Sequence, residues 1–151
     1  MDVDQVGHGG AGRWKSSARL PFAFGDLRAQ RQRLLHDLDQ HALPSDLAYD
    51  ASLVLDELMA NAVQHGAPLD DGNLDVCWGA WDGLVHVEVT SGGARTIPAA
   101  AAATAGSTRG RGLAIVAALA ASWGVRTGRT TTTVWAALPP GDRRGQRPVQ
   151  T

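Results

Sequence analysis

The chain has 151 residues, 44% of them hydrophobic, which suits one ordinary domain with a sizeable core. Its formal net charge of -1 gives no general electrostatic attraction to nucleic acid or to an anionic membrane, so neither is an expected partner. A single cysteine, Cys77, excludes an intrachain disulfide and a cysteine-based zinc cluster; with no apolar stretch of signal-peptide or membrane-span length, the composition fits a cytoplasmic protein.

In chain order, Met1 to Ser17 is polar and glycine-rich and reads as a flexible leader, and a folded domain is expected over 18–139. Ala18 to Phe24 alternates as a first strand. Asp26 is placed to cap a helix in which Leu27, Leu34, Leu35, Leu38 and Ala42 recur at helical spacing. Pro44 and Ser45 end that helix and open a second, with Ser45 as its N-cap and Gly66, followed by Pro68, as its exit. Along this second helix Leu55, Leu58, Met59, Ala62 and Val63 form an apolar stripe. Glu57 and Asn61, four residues apart, differ by about 40° of rotation and roughly 6 Å of rise, so acid and amide share one face at the edge of the stripe. That placement suits a pocket wall able to hold a metal and a nucleophile.

Leu74 to Trp81 and Leu84 to Thr90 read as strands joined by Asp82-Gly83, the strongest short hairpin signal in the chain. Ala94 to Thr108 is alanine-rich with no clear amphipathic face and reads as a mobile loop or loose helix. Gly110-Arg111-Gly112 then opens an apolar helical run that is expected to end at Trp123-Gly124. Val125 to Thr127 and Thr131 to Leu138 form a second hairpin, and 140–151 reads as a flexible tail. This order does not match regular βαβ alternation. It predicts an α+β two-layer sandwich: a mostly antiparallel mixed sheet with helices on one face and a second face that is more polar or available to a partner.

Taken one at a time, the polar motifs are weak. Glycines before a helix let backbone N–H groups approach phosphate oxygens, but Gly110-Arg111-Gly112 alone is more often a tight loop. Arg109 and Arg111 are placed to add charge-assisted contacts, yet arginines beside a helix start are more often solvated. The one lysine, Lys15, lies in the leader, so there is no P-loop lysine. Glu57 and Asn61 alone fit a solvated helix face, and His65 fits a favourable partial cation at a helix C-terminus. Trp78, Trp81, Trp123 and Trp135 are expected in core and sheet packing. No Gly-x-Ser-x-Gly elbow supports a hydrolase triad.

The motifs together are specific. Glu57-x-x-x-Asn61-Ala62 with His65-Gly66, a strand ending in Ser91-Gly92-Gly93, Gly110-x-Gly112-Leu113 before a helix, and Thr132-Thr133-Val134 in the last strand resemble, in order and spacing, the GHKL ATPase superfamily. Within it the short chain and the Trp123-Gly124-Val125 and Thr133-Val134-Trp135 endings are most similar to the anti-sigma-factor serine/threonine kinases. The resemblance covers roughly 18–138 and implies the Bergerat fold, with ATP and Mg²⁺ as cofactors. It implies Glu57 as general base, Asn61 as Mg²⁺ ligand, and Ser91, Gly93, Arg109, Gly110, Arg111, Gly112, Leu113 and Thr133 around the nucleotide, with Ala94 to Thr108 as a lid.

The implied activity is phosphoryl transfer to an anti-anti-sigma (STAS-type) protein that competes with a sigma factor for the kinase; a homodimer is compatible with it. One departure stands out. The family usually carries Asp-x-Gly where this chain has Ser91-Gly92-Gly93, so the carboxylate that receives the adenine amino group is replaced by a hydroxyl. Two alternatives follow: a regulatory module that binds nucleotide poorly and sequesters a partner, and the detached catalytic domain of a sensor histidine kinase.

Overall fold

The computed structural model describes residues 13–23, 26–93 and 108–139, with the side chains of 108–112 left aside. The order is β1 (Trp14–Pro21), α1 (Leu27–Gln40), α2 (Ser45–His65), β2 (Asn73–Trp81), β3 (Leu84–Gly92), α3 (Thr108–Leu119), β4 (Ser122–Thr127) and β5 (Thr131–Leu138). The strands form one five-stranded sheet in the order β1-β2-β3-β5-β4. All four neighbouring pairs are antiparallel. The expected α+β two-layer sandwich is thus the observed fold.

Alternation sets the two faces of the sheet. Leu74, Val76 and Trp78 of β2, Val85, Val87 and Val89 of β3, and Val134, Ala136 and Leu138 of β5 are buried against the helices. α2 lies at the centre of the helical layer, between α1 and α3 and over β3 and β5. Its stripe behaves as the spacing requires: Leu55, Leu58, Met59 and Ala62 are buried, and Val63 packs at the margin. Each fully buried leucine or methionine there removes enough apolar surface from water to stabilise the fold by roughly 1.5–3 kcal/mol.

Asp82 (φ 53°) and Gly83 (φ 72°) are both left-handed, as a two-residue type I′ turn demands, and they close the β2–β3 hairpin with Trp81 opposite Leu84. Trp81 stacks on His86 with ring centroids 3.9 Å apart. On the open face Cys77 is half-buried, and burial pushes its thiol pKa up to about 11, so it is not a thiolate at neutral pH.

Several boundaries differ from expectation. β1 begins at Trp14 rather than Ala18, because Trp14 and Ser16 continue its inward-facing parity and pair with β2. Neither expected N-cap makes a side-chain cap hydrogen bond. Asp26 has helical φ/ψ, whereas a capping side chain needs an extended backbone; at α2 the cap position is Pro44 and Ser45 is already helical. α3 ends at Leu119, short of Trp123-Gly124. Trp123 and Val125 instead alternate inward from β4. Gly124 faces the other way, where a Cβ would come within 2.9 Å of the Trp135 ring. It is a packing glycine, not a helix exit.

Candidate functional site

The end of α2 is clamped to the sheet by the chain that leaves it. Ala67 bridges to Gly92, whose N–H donates to the Ala67 carbonyl at 2.7 Å. A Cβ at Gly92 would lie 2.2 Å from the Pro68 carbonyl oxygen, so the crossing requires glycine there. Gly66 has extended φ and ψ (-93°, -164°), not the left-handed conformation usual after a helix. It too is a close-approach glycine: a Cβ would sit 2.6 Å from the Ala62 carbonyl oxygen and 2.8 Å from Ser91 Oγ. With no side chain at Gly66, the last turn of α2 reaches the β3–β5 pair.

Between them lies a small cavity of about 10 Å³, lined by Asn61, Ala62, His65 and Gly66 from the end of α2, Val89 and Ser91 from β3, and Thr132 and Val134 from β5. Asn61 and Ser91, widely separated in sequence, thus line one cavity. Ser91 is only 4% exposed, and its hydroxyl donates to the Gly92 carbonyl at 3.3 Å. His65 occupies the last turn of α2 and also lines the cavity.

Glu57 stands one turn before Asn61, half-buried and outside the lining of the cavity. Burial raises its pKa above the ordinary carboxylate value, and the negative charge of adjacent Asp56 adds to the rise. Asp56 is itself held by Arg31 of α1 at 3.0 Å. A carboxylate held in this way is a stronger base than a solvated one, and Asn61, one turn along, offers a neutral oxygen donor. No group of three or more His, Cys, Asp or Glu side chains able to hold a metal occurs among the described residues.

Thr133 requires correction. It does not face the cavity: its hydroxyl is 2.7 Å from that of Thr90 on the opposite face of the sheet. The residue that reaches the site is Thr132, 5% exposed and directly across from Ser91 in the β3–β5 register. The cause is the period of two along a strand, by which Thr132 shares the inward parity of Val134, Ala136 and Leu138. Sequence reading also missed the requirement for glycine at Gly66 and Gly92. Gly93 is exposed, and a Cβ there would meet nothing closer than 3.7 Å, so the fold itself does not require glycine.

The glycine loop also differs from expectation. α3 starts at Thr108, so Arg109, Gly110, Arg111 and Gly112 lie within the helix instead of before it. Leu113 is buried. The expected lid lies outside the described residues except for Thr108, which lies in α3.

An open antiparallel sheet, a central helix ending over it and a small cavity between them, in this element order, define a Bergerat-type domain. The chain belongs to the histidine kinase-like ATPase domain family, whose model matches residues 20–138. Among solved structures it is similar to the crystal structure of the RsbU and RsbW domains of Rv1364c from Mycobacterium tuberculosis, with a TM-score of 0.61 at 22% identity. The likeness covers 82% of this chain but 32% of that one, and it is a likeness of fold. No curated protein matches the chain.

Proposed function

We propose that this domain binds Mg·ATP and acts as an anti-sigma-type serine/threonine kinase, phosphorylating an anti-anti-sigma (STAS-type) protein. The observation that carries the reading is the convergence of Asn61 with Ser91 and Thr132 at the end of α2, with the half-buried Glu57 one turn away. Asn61 suits a magnesium ion that takes most of its ligands from phosphate and water, since such an ion needs few protein donors. Bound there, the metal would supply charge neutralisation on the phosphates.

Glu57 accepts the proton of the acceptor serine as its oxygen attacks the γ-phosphorus and the bond to the β–γ bridging oxygen breaks, releasing ADP. The Gly110-Arg111-Gly112 segment of α3 would supply backbone N–H groups to a phosphate, and Arg109 and Arg111 would add charge. The partner class, a sigma factor and its antagonist, rests on the resemblance of the motifs to the anti-sigma-factor kinases, and the fold likeness to a structure that contains an RsbW domain is compatible with it. The test is phosphoserine formation on a cognate STAS-type protein with Mg·ATP. Wild type is expected to phosphorylate and Glu57→Ala to lose about 10²–10⁴-fold in rate. No phosphoserine, or a Glu57→Ala variant as fast as wild type, overturns the kinase reading. Acid-stable product separates serine from histidine transfer.

One observation favours a second reading, a partner-sequestering module that binds nucleotide poorly: Ser91 replaces a carboxylate above a cavity of only about 10 Å³. Calorimetric titration with Mg·ADP decides it, since binding in the micromolar range excludes that module.

A further inference from the structure

Glu57 has a second acid beside it, and that acid is tied to another helix. Asp56 precedes it in α2, with its carboxylate held from α1 by Arg31, whose Nε lies 3.0 Å from one Asp56 oxygen and 3.3 Å from the other. The Asp56 side chain is 23% exposed, so water screens its charge only in part. Consecutive helical residues point about 100° apart, so Asp56 and Glu57 act on each other through space and not through a shared hydrogen bond.

Few other charges face Glu57. Leu53, Val54, Ala60 and Asn61 lie one turn to either side of it on α2 and carry none, which leaves Asp56 as the one negative charge within a turn. The inner faces of β3 and β5 present only Val, Ser, Thr, Ala and Leu. From α1 comes Arg31, with the exposed Arg28 one turn before it; α3 brings Arg109 and Arg111, whose side chains lie outside the described residues.

We infer that Asp56 is a positioning residue for the proton transfer: its charge, fixed in place by Arg31, makes Glu57 a stronger base than burial alone would. Asp56 has this role only if Glu57 is the general base of the proposed kinase, so the first readout needs neither nucleotide nor acceptor.

The chain contains two glutamates, Glu57 and Glu88, so carbon-13 labelling of glutamate carboxyls gives two titrating NMR signals in the intact protein. Glu57→Gln identifies them, and Glu88, paired with Arg126 at 2.8 Å, is the internal reference. Asp56→Asn keeps the shape and an oxygen acceptor for Arg31 but removes the charge, and the unbalanced Arg31 cation then acts in the same direction. The Glu57 titration is expected to move down by about half a pH unit with Glu88 unmoved. Arg31→Gln instead leaves the Asp56 charge unbalanced and should move Glu57 up. A merely structural tie between α1 and α2 would send both variants the same way, and that result overturns the inference, as does a Glu57 titration that neither variant moves.

In the kinase assay, the acid limb of the kcat/KM profile of Asp56→Asn should follow the NMR titration down, and the plateau rate should fall about twofold with KM for Mg·ATP unchanged. A Glu57 titration that moves while the acid limb stays in place takes Glu57 out of the proton transfer and overturns the role of Asp56 with it. Absence of phosphoryl transfer by wild type removes the kinase reading and this role together, whereas unmoved titrations in an active kinase remove the role alone.

Discussion

Two pairs of hydroxyls lie side by side where β3 meets β5, and they have opposite fates. Thr90 and Thr133 face the open side of the sheet and bond to each other at 2.7 Å. Ser91 and Thr132, one residue along, face the helices and line a cavity roofed by the end of α2. The chemistry of the two pairs is nearly the same, so what separates structure from site is parity. A hydroxyl pair that satisfies itself on an open face holds the sheet together. On the inner face, the buried Ser91 and Thr132 meet Asn61 in a space with room for little more than a water. The inner face becomes a site because α2 stops above it, and α2 can approach because Gly66 and Gly92 have no side chains.

The comparison breaks most completely at the clamp. Gly92→Val drives new atoms into the Pro68 carbonyl, 2.2 Å from the first of them, and should cost about 3 kcal/mol, a fall in Tm of roughly 10 °C. Gly93→Ala next door, where a Cβ meets only ordinary contact at 3.7 Å, should move Tm by no more than ~2 °C. Thermal denaturation followed by circular dichroism reads both, and equal losses would show that the crossing of Ala67-Pro68 over β3 does not position the site.

The next contrast is between the two threonines. Thr133→Val breaks the bond to Thr90 and should lower stability by about 1 kcal/mol while leaving Mg·ADP affinity unchanged. Thr132→Val should weaken that affinity about tenfold. A double-mutant cycle of Thr90→Val with Thr133→Val should show coupling of about 0.5 kcal/mol or more, since each hydroxyl is the other's partner. If Thr133→Val is the variant that loses nucleotide, the parity assignment is wrong.

The same contrast shows what was legible in the sequence and what was not. The helical spacing of Leu55, Leu58, Met59 and Ala62 and the Asp82-Gly83 turn are local signals, and each element appears as written. Glu57 and Asn61 were legible as a pair because their relation is one turn of one helix. Thr132 was also within reach: counting back by two from Leu138, Ala136 and Val134 lands on it and not on Thr133. Gly66 and Gly92 were not, because the atoms that forbid a Cβ belong to Ser91 and Pro68, which only the tertiary crossing brings near. Trp123-Gly124 misled for the same reason, since a glycine lying under a tryptophan of the neighbouring strand looks, in one dimension, like the end of a helix.

The smallest effect sharpens the comparison most, because it asks whether the α2 side of the site is held at a cost. Burial first, and Asp56 second, raise the pKa of Glu57. In the window between the ordinary carboxylate value and this raised one, the folded chain binds more protons than the unfolded chain. Stability therefore falls as pH rises through the window and stays lowered above it. Glu57→Gln removes the charge and should raise Tm at neutral pH by roughly 1–3 °C, a small gain because water still screens the carboxylate. That gain should vanish below about pH 3.5, where wild type is also neutral. A variant less stable than wild type at neutral pH would mean that Glu57 is held by favourable contacts, as the outer threonines are. The expected sign instead marks Glu57 as a group kept against the interest of the fold, which is the condition of a side chain retained for its chemistry.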